Sequence, residues 1–299
     1  MSERAAPLGG GAPLRSRAEA LAAPLPPLLA DAEHLAQTVL LGAHGRRRAG
    51  MGDEFWQYRP AQPGDPARMI DWRRSGRSDA HYIREKEWQG AQSVMLWVDQ
   101  AASMGFSSLG SGAAKADRAA LLAMAMAVLL MRGGERVALA ALGTPPRIGN
   151  LQLLRIAERL SAPDNAPQDY GVVQIRGMLP HSRALFISDF LGDIAGLEAQ
   201  LLKAADRGVK GALLQVLDPA EEAFPFDGRT IFESMGGTIR HETLKAGDLR
   251  DRYLDRLAAR KDRLAELARV AGWQYECHHT DKPALGALLW LFGALERVR

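Results

Sequence analysis

The run SVMLWVDQAASMGFSS, residues 93–108, changes character in its middle. Ser93 to Val98 is almost wholly apolar, without the polar alternation of a half-exposed strand. That suits a central parallel strand covered on both faces. Asp99 ends the run, and Ser103, Ser107 and Ser108 follow. A carboxylate directly after a strand stands where open α/β sheets bind ligands, outside the C-terminal strand ends.

Strands and helices alternate from this point on. Lys115 to Met131 reads as a helix ended by Gly133–Gly134, and RVALAAL as a second strand. GTPPRIG turns back, with room for a short edge strand, and LQLLRIAERL is an amphipathic helix. RALFISD, GALLQVLD and GWQYECH are further strands. Helices are expected over Ile194–Arg207, Leu249–Val270 and Pro283–Arg297, and a hairpin around Gly236–Gly237. The fold class is therefore α/β, with a doubly wound, mostly parallel sheet. Residues 93–299 make this main domain. Residues 14–92 add an N-terminal helix, about Leu28 to Leu41, and a small β extension with strands at DEFWQYR and HYIREKEWQ. Residues 1–13, mostly Gly, Pro and Ala, are expected to be disordered.

Composition excludes several classes. The 299 residues are 47% hydrophobic and 24% charged, which supports a large buried core. A net charge of +3 is too weak to argue for nucleic acid. The single Cys277 forbids an internal disulfide and fits a reducing compartment. The N-terminus lacks the unbroken apolar stretch of a signal peptide. Ala119 to Met131, thirteen apolar residues, is shorter than the ~20 a spanning helix needs. A cytoplasmic, membrane-free protein is expected.

Asp99, Asp189 and Asp218 each follow an apolar strand directly. If RALFISD lies beside SVMLWVD, Asp99 and Asp189 face one crevice, with Ser103 and Ser188 adding hydroxyl oxygens. Two facing carboxylates repel unless a cation or proton intervenes, and Mg²⁺ favours such oxygen ligands. The competing reading is a turn former or helix N-cap, favoured for Asp218 because Pro219 follows it. Around an empty site, removing one of two repelling carboxylates is not expected to destabilise the core.

GDEFWQYRPAQPGDPARMIDWRRSGRSDAHYIRE, MLWVDQAASM, LFISDFLGD and VLDPAEEAFPF, in this order, resemble bacterial proteins of domain-of-unknown-function family 58. The likeness runs from about Leu35 to Tyr275, and RPAQPGDPARMIDWR is its most specific part. It implies a von Willebrand factor A-like core and work beside a MoxR-type AAA+ ATPase. It also implies the metal motif D-x-S-x-S, with a threonine and an aspartate from later loops. Mapped by resemblance, Asp99, Ser103 and Asp189 are metal ligands, Ala101 replaces the middle serine, and the nearest match to the threonine loop is Gln168–Asp169. The frame of a degenerate metal-ion-dependent adhesion site is present and its ligand set is depleted, so Mg²⁺ is expected to bind weakly or not at all. Ala61 stands where family members commonly carry tyrosine.

Catalytic patterns are thin. A haloacid-dehalogenase phosphatase needs a second Asp where Ala101 stands. A receiver-like phosphoacceptor wants an acidic pair ahead of Asp99 and a lysine at a later strand end, and neither is found. No phosphate loop and no G-x-S-x-G elbow exist.

Three other constellations carry two readings each. Arg59, Asp65, Arg68, Asp71 and Trp72 form either a self-braced loop, pinned to the core by Trp72, or a docking surface for an acidic partner. Between Arg46 and Arg77, eight Arg face four acids, either a solvated loop or an anion patch. Cys277, His278, His279 and Asp281 are a strand-end cluster or, less simply, a zinc site. Adjacent His278 and His279 point to opposite faces of a strand and do not share a metal easily. The sequence thus favours a non-enzymatic protein-binding adaptor that helps a MoxR-type ATPase assemble or remodel a client. The alternative is a metal-dependent hydrolase or phosphoryl-transfer enzyme at the same crevice.

Overall fold

A computed structural model describes residues 27–42, 55–61, 70–76, 82–86, 91–109, 114–162, 168–173, 175, 177–238 and 240–296. The disordered N-terminus expected for residues 1–13, the Arg46–Arg48 run, Asp65 and Arg68 lie outside them. Helix α1 spans Pro27–Gly42. Strands β1, Phe55–Pro60, and β2, Tyr82–Lys86, pair antiparallel, with a register shift between Phe55 and Gln57. The short helix α2, Trp72–Ser75, lies between them.

The main sheet uses β3, Ser93–Val98; β4, Arg136–Leu139; β5, Arg183–Ser188; β6, Lys210–Leu217; and β9, Gln274–His279. All five strands are parallel, in the order β4-β3-β5-β6-β9. The connecting helices are α3, Lys115–Arg132; α4, Asn150–Ser161; α5, Ala195–Asp206; α6, Pro219–Ala223; α7, Arg250–Ala271; and α8, Ala284–Glu296. Strands β7, Thr230–Glu233, and β8, Arg240–Thr243, form the hairpin expected around Gly236–Gly237.

Strand alternation builds three layers. Val94, Leu96, Val98, Leu185, Ile187, Leu214 and Val216 point into one core with α1, α3, α4 and α8. Met95, Trp97, Phe186 and Leu213 point into the other, with α5 and α7. The nearly all-apolar sequence of α3 is explained by its place, buried between sheet and helices from Ala119 to Met131 apart from a half-buried Leu121. Each fully buried Leu or Met there contributes about 1.5–3 kcal/mol. Helix α1, grouped in sequence with the β extension, shares this layer through Leu29, Ala32, Ala36 and Val39.

Two expectations need correction. GTPPRIG forms no edge strand: a single antiparallel bridge joins Arg147 to Val137, because Pro145 and Pro146 have no N–H to extend a ladder. Trp72 is not pinned in the core. It is 60% exposed, and α2 is tied instead to β2, where the Tyr82 N–H donates to Ser75 Oγ at 2.9 Å and the Asp71 N–H donates to the Tyr82 carbonyl at 2.8 Å.

Candidate functional site: a strand-end crevice with an internal cation

The order β4-β3-β5 places the reversal of strand order between β3 and β5. Asp99 follows one of these strands and Asp189 the other, and the Asp99 N–H donates to the Ile187 carbonyl at 2.9 Å. The sequence expectation of neighbouring strand-end carboxylates at the switch point therefore holds. Both are buried, as are Ser103 and Ser188.

Both oxygens of Asp99 accept a hydrogen bond. Its Oδ1 accepts from the Ala101 N–H at 2.8 Å and its Oδ2 from the Ser188 hydroxyl at 2.6 Å. Burial raises its pKa, against the downward pull of these hydrogen bonds and with a further push from the Asp189 charge. Gly171 lies so close that a Cβ there would stand 2.2 Å from Asp99 Oδ1. Only a residue without a side chain fits there.

Asp189 holds a cation that the sequence reading missed. Lys115, 0% exposed, places Nζ 2.9 Å from Asp189 Oδ2 and 2.6 Å from Glu221 Oε1. The Phe106 ring lies 5.9 Å from the same ammonium. Burial pushes the lysine pKa down, but Asp189 and Glu221, by charge and hydrogen bonding, outweigh it and hold Lys115 above its ordinary value. Asp189 Oδ1 accepts from the Leu191 N–H at 3.1 Å. Glu221 also closes a capping box at the start of α6. Its Oε2 accepts from the Asp218 N–H at 2.9 Å, while Asp218 Oδ1 accepts from the Ala220 N–H at 2.8 Å. Asp218 is thus the helix N-cap that Pro219 suggested, and it also accepts from the Ser108 N–H at 2.8 Å and from the Ser108 hydroxyl. One sequence signal could have revealed Lys115. It opens an apolar helix at the positive end of the macrodipole, where a cation is unfavourable unless acids surround it.

These residues do not fit a divalent ion. Asp99 is satisfied by a hydroxyl and an amide, and Asp189 by an ammonium and an amide. Ala101 offers no oxygen. A feature that does fit is the Ser103 hydroxyl, buried without a hydrogen-bond partner among the described residues. A divalent ion would have to displace Lys115 from Asp189 and leave a buried ammonium short of a partner.

The Gln168–Asp169 loop lies against the motif, as its mapping expected. The carbonyls of Gln168 and Asp169 accept from the Ala102 and Ser103 N–H groups at 3.2 and 2.8 Å. The Asp169 carboxylate faces away from the crevice, onto the β7–β8 turn. It accepts from Ser234 Oγ at 3.0 Å, the Gly236 N–H at 2.6 Å and the Thr238 hydroxyl. These hydrogen bonds, Thr238 first, hold its pKa below the usual carboxylate range.

Of the loop residues proposed for docking, Arg59 belongs to β1, and Asp71 Oδ1 accepts from the Arg73 N–H at 3.1 Å. At the end of β9 the two histidines part, as expected. His278 Nε2 lies 2.9 Å from Arg118, and burial together with that charge lowers its pKa to about 4. His279 Nε2 lies 3.0 Å from Glu222, which also binds Lys261. Cys277 comes close to Glu222 and His279, and burial pushes its thiol up to about 11.

The sequence profile of the family described as "Protein of unknown function DUF58" matches residues 57–263. This chain is a member of the DUF58 family. The uncharacterized protein Rv1480 of Mycobacterium tuberculosis is 29% identical over 265 residues, covering 84% of this chain and 82% of its own length. The uncharacterized protein Mb1516 of Mycobacterium bovis matches to the same degree. Among solved structures, an aerotolerance-related membrane protein from Bacteroides fragilis overlaps with a TM-score of 0.41 at 13% identity, over 70% of this chain and 100% of its own. The BatB protein of Bacteroides thetaiotaomicron overlaps with a TM-score of 0.35 at 12% identity and the same coverage. In this DUF58 chain, no helix among the described residues is long and apolar enough to cross a membrane.

Proposed function

We propose that this DUF58 protein is a non-enzymatic, cytoplasmic protein-binding adaptor with a von Willebrand factor A-like core. It works with a MoxR-type AAA+ ATPase in assembling or remodelling a client protein. One observation carries the reading: the strand-end crevice already holds an internal cation, Lys115, bound to Asp189 and Glu221. Asp189 and Glu221 are occupied as partners of Lys115, which, among the described residues, counts against their use as a base or as cation ligands. Binding by this protein is therefore independent of a resident divalent ion. Asp71 and the exposed Trp72 give the β extension a further surface for the partner.

The test is capture of the purified co-encoded AAA+ ATPase by the purified protein, with ATP turnover measured alongside. Capture, or a change in turnover, is the expected result. No capture and no change would refute the adaptor. Metal-dependent hydrolysis of p-nitrophenyl phosphate by the protein alone would replace it with the enzyme reading.

A further inference from the structure

Beside the crevice lies a second cavity of about 460 Å³, walled by Phe106, Phe224, Phe226, Phe232, Leu249 and Tyr253. Its volume and its apolar lining with few polar groups are those of a ligand-binding pocket. The wall is a built aromatic cluster. Phe224 stands 4.9 Å from Tyr253, 5.2 Å from Phe226 and 5.7 Å from Phe232, centroid to centroid. Phe226 meets Phe232 edge-on at 5.3 Å. Such interlocked rings present a rigid apolar surface at low entropic cost.

The rim is basic. Arg252 and Arg256, one helical turn apart on α7, both line the cavity and both are exposed or partly so. Neither forms an ion pair with the described residues, whereas Arg263 and Arg269 on the same helix pair with Glu198 and Glu266. His241 adds a third nitrogen-bearing side chain. The one acid in the lining, Glu221, is already committed to Lys115. Asp251 and Asp255, beside the arginines in sequence, do not line the cavity. An apolar hollow under two guanidiniums without carboxylate partners is complementary to an aromatic or large aliphatic side chain flanked by carboxylates.

We propose that this cavity is the docking pocket for an acidic peptide segment of a protein partner, anchored by one aromatic or large aliphatic side chain. The proposal rests on the adaptor reading and names the chemistry of the contact. The pocket shares Phe106 and Glu221 with the lysine network, so the occupied pocket and the crevice share one wall.

The experiment measures fluorescence polarisation of labelled peptides DDFDD, DDSDD and KKFKK on the full-length protein and on Arg252→Glu/Arg256→Glu. Neither arginine is buried, so thermal melts of parent and variant should coincide. DDFDD should bind the parent more tightly than either control, and the double variant should lose roughly tenfold in affinity. Three indistinguishable peptides, or an unaffected double variant, would overturn the proposal. So would displacement of DDFDD by free phenylacetate at equal concentration, which would assign the pocket to a small aromatic acid. Self-association abolished by the double variant would assign it to a second copy of the chain and overturn it equally. ATPase capture separates the two readings. A parent that binds DDFDD but captures no ATPase keeps the pocket and loses the adaptor. Capture unaffected by Arg252→Glu/Arg256→Glu, with no selective peptide binding, keeps the adaptor and loses the pocket.

Discussion

Replacing Lys115 with methionine keeps most of the side chain's volume and removes its ammonium. Asp189 and Glu221 then lose their cation, with Asp99 adjacent; the Asp189 and Glu221 side chains are 1% and 14% exposed. Removing one partner of a buried ion pair costs about 3–5 kcal/mol, chiefly because the other charge stays buried unpaired. At roughly 2 °C per kcal/mol for a chain of this length, melting should fall by about 6–10 °C. The pH dependence identifies the cause. In the parent, the raised Lys115 pKa gives stability that is present below the ordinary value of 10.5 and lost only as pH rises through the higher folded value. Asp99 and Glu221 also have raised pKa values, so folding gains stability as pH falls through them towards 3.8 and 4.5. In Lys115→Met the Glu221 carboxylate, without the downward pull of its cation, takes up a proton more readily still, and the gap to the parent should narrow between pH 7 and pH 5. The double variant Lys115→Met/Asp189→Asn should recover part of the loss. Calorimetric melts at both pH values decide the matter. Equal melting of Lys115→Met and parent at pH 7, or a gap that widens on acidification, would refute the internal-cation account.

Three further outcomes are expected. Gly171→Ala should destabilise by about 1–3 kcal/mol in a urea melt, because its Cβ would meet the Asp99 carboxylate, while Gly293→Ala in α8, with nothing within 4 Å, should be neutral or stabilising. Ala101→Ser alone should leave Mg²⁺ binding weak in a calorimetric titration, since Lys115 still holds Asp189; tight binding by either form would contradict the ligand assignments. Asp169→Ala should lower the amide protection factors (exchange relative to the unfolded chain at the same pH) across Thr230–Thr243, and acid should do the same in the parent. The depressed Asp169 pKa makes the clamp fully present above 3.8 and lost as pH falls through the lower folded value. Unchanged exchange would show that the turn is held by its own strands.

What the sequence made legible was local. Asp99 and Asp189 stand directly after apolar runs, and Asp218 stands before a proline, so position along the chain alone placed them. The expectation that either carboxylate is dispensable does not suit Asp189, because its repulsion with Asp99 is offset by Lys115, 74 residues before it. A pairing at that separation leaves no periodic trace. The aromatic pocket was hidden for the same reason: Phe106, Phe224, Phe232 and Tyr253 come from separate segments, each ordinary alone. Trp72 misled in the opposite sense, since a large apolar residue among charges suggested an anchor and is mostly exposed.

The lysine network also constrains the order in which the chain folds. Lys115 emerges from the ribosome 74 residues ahead of Asp189 and 106 ahead of Glu221. Until both acids are available, closing α3 over the first strands would trap an uncompensated ammonium. Fragments ending before Glu221 lack one or both partners of Lys115 and should be more sensitive to protease than the full chain. Closure of α3 over the sheet is then expected to be completed only once β6 and the start of α6 have been synthesised.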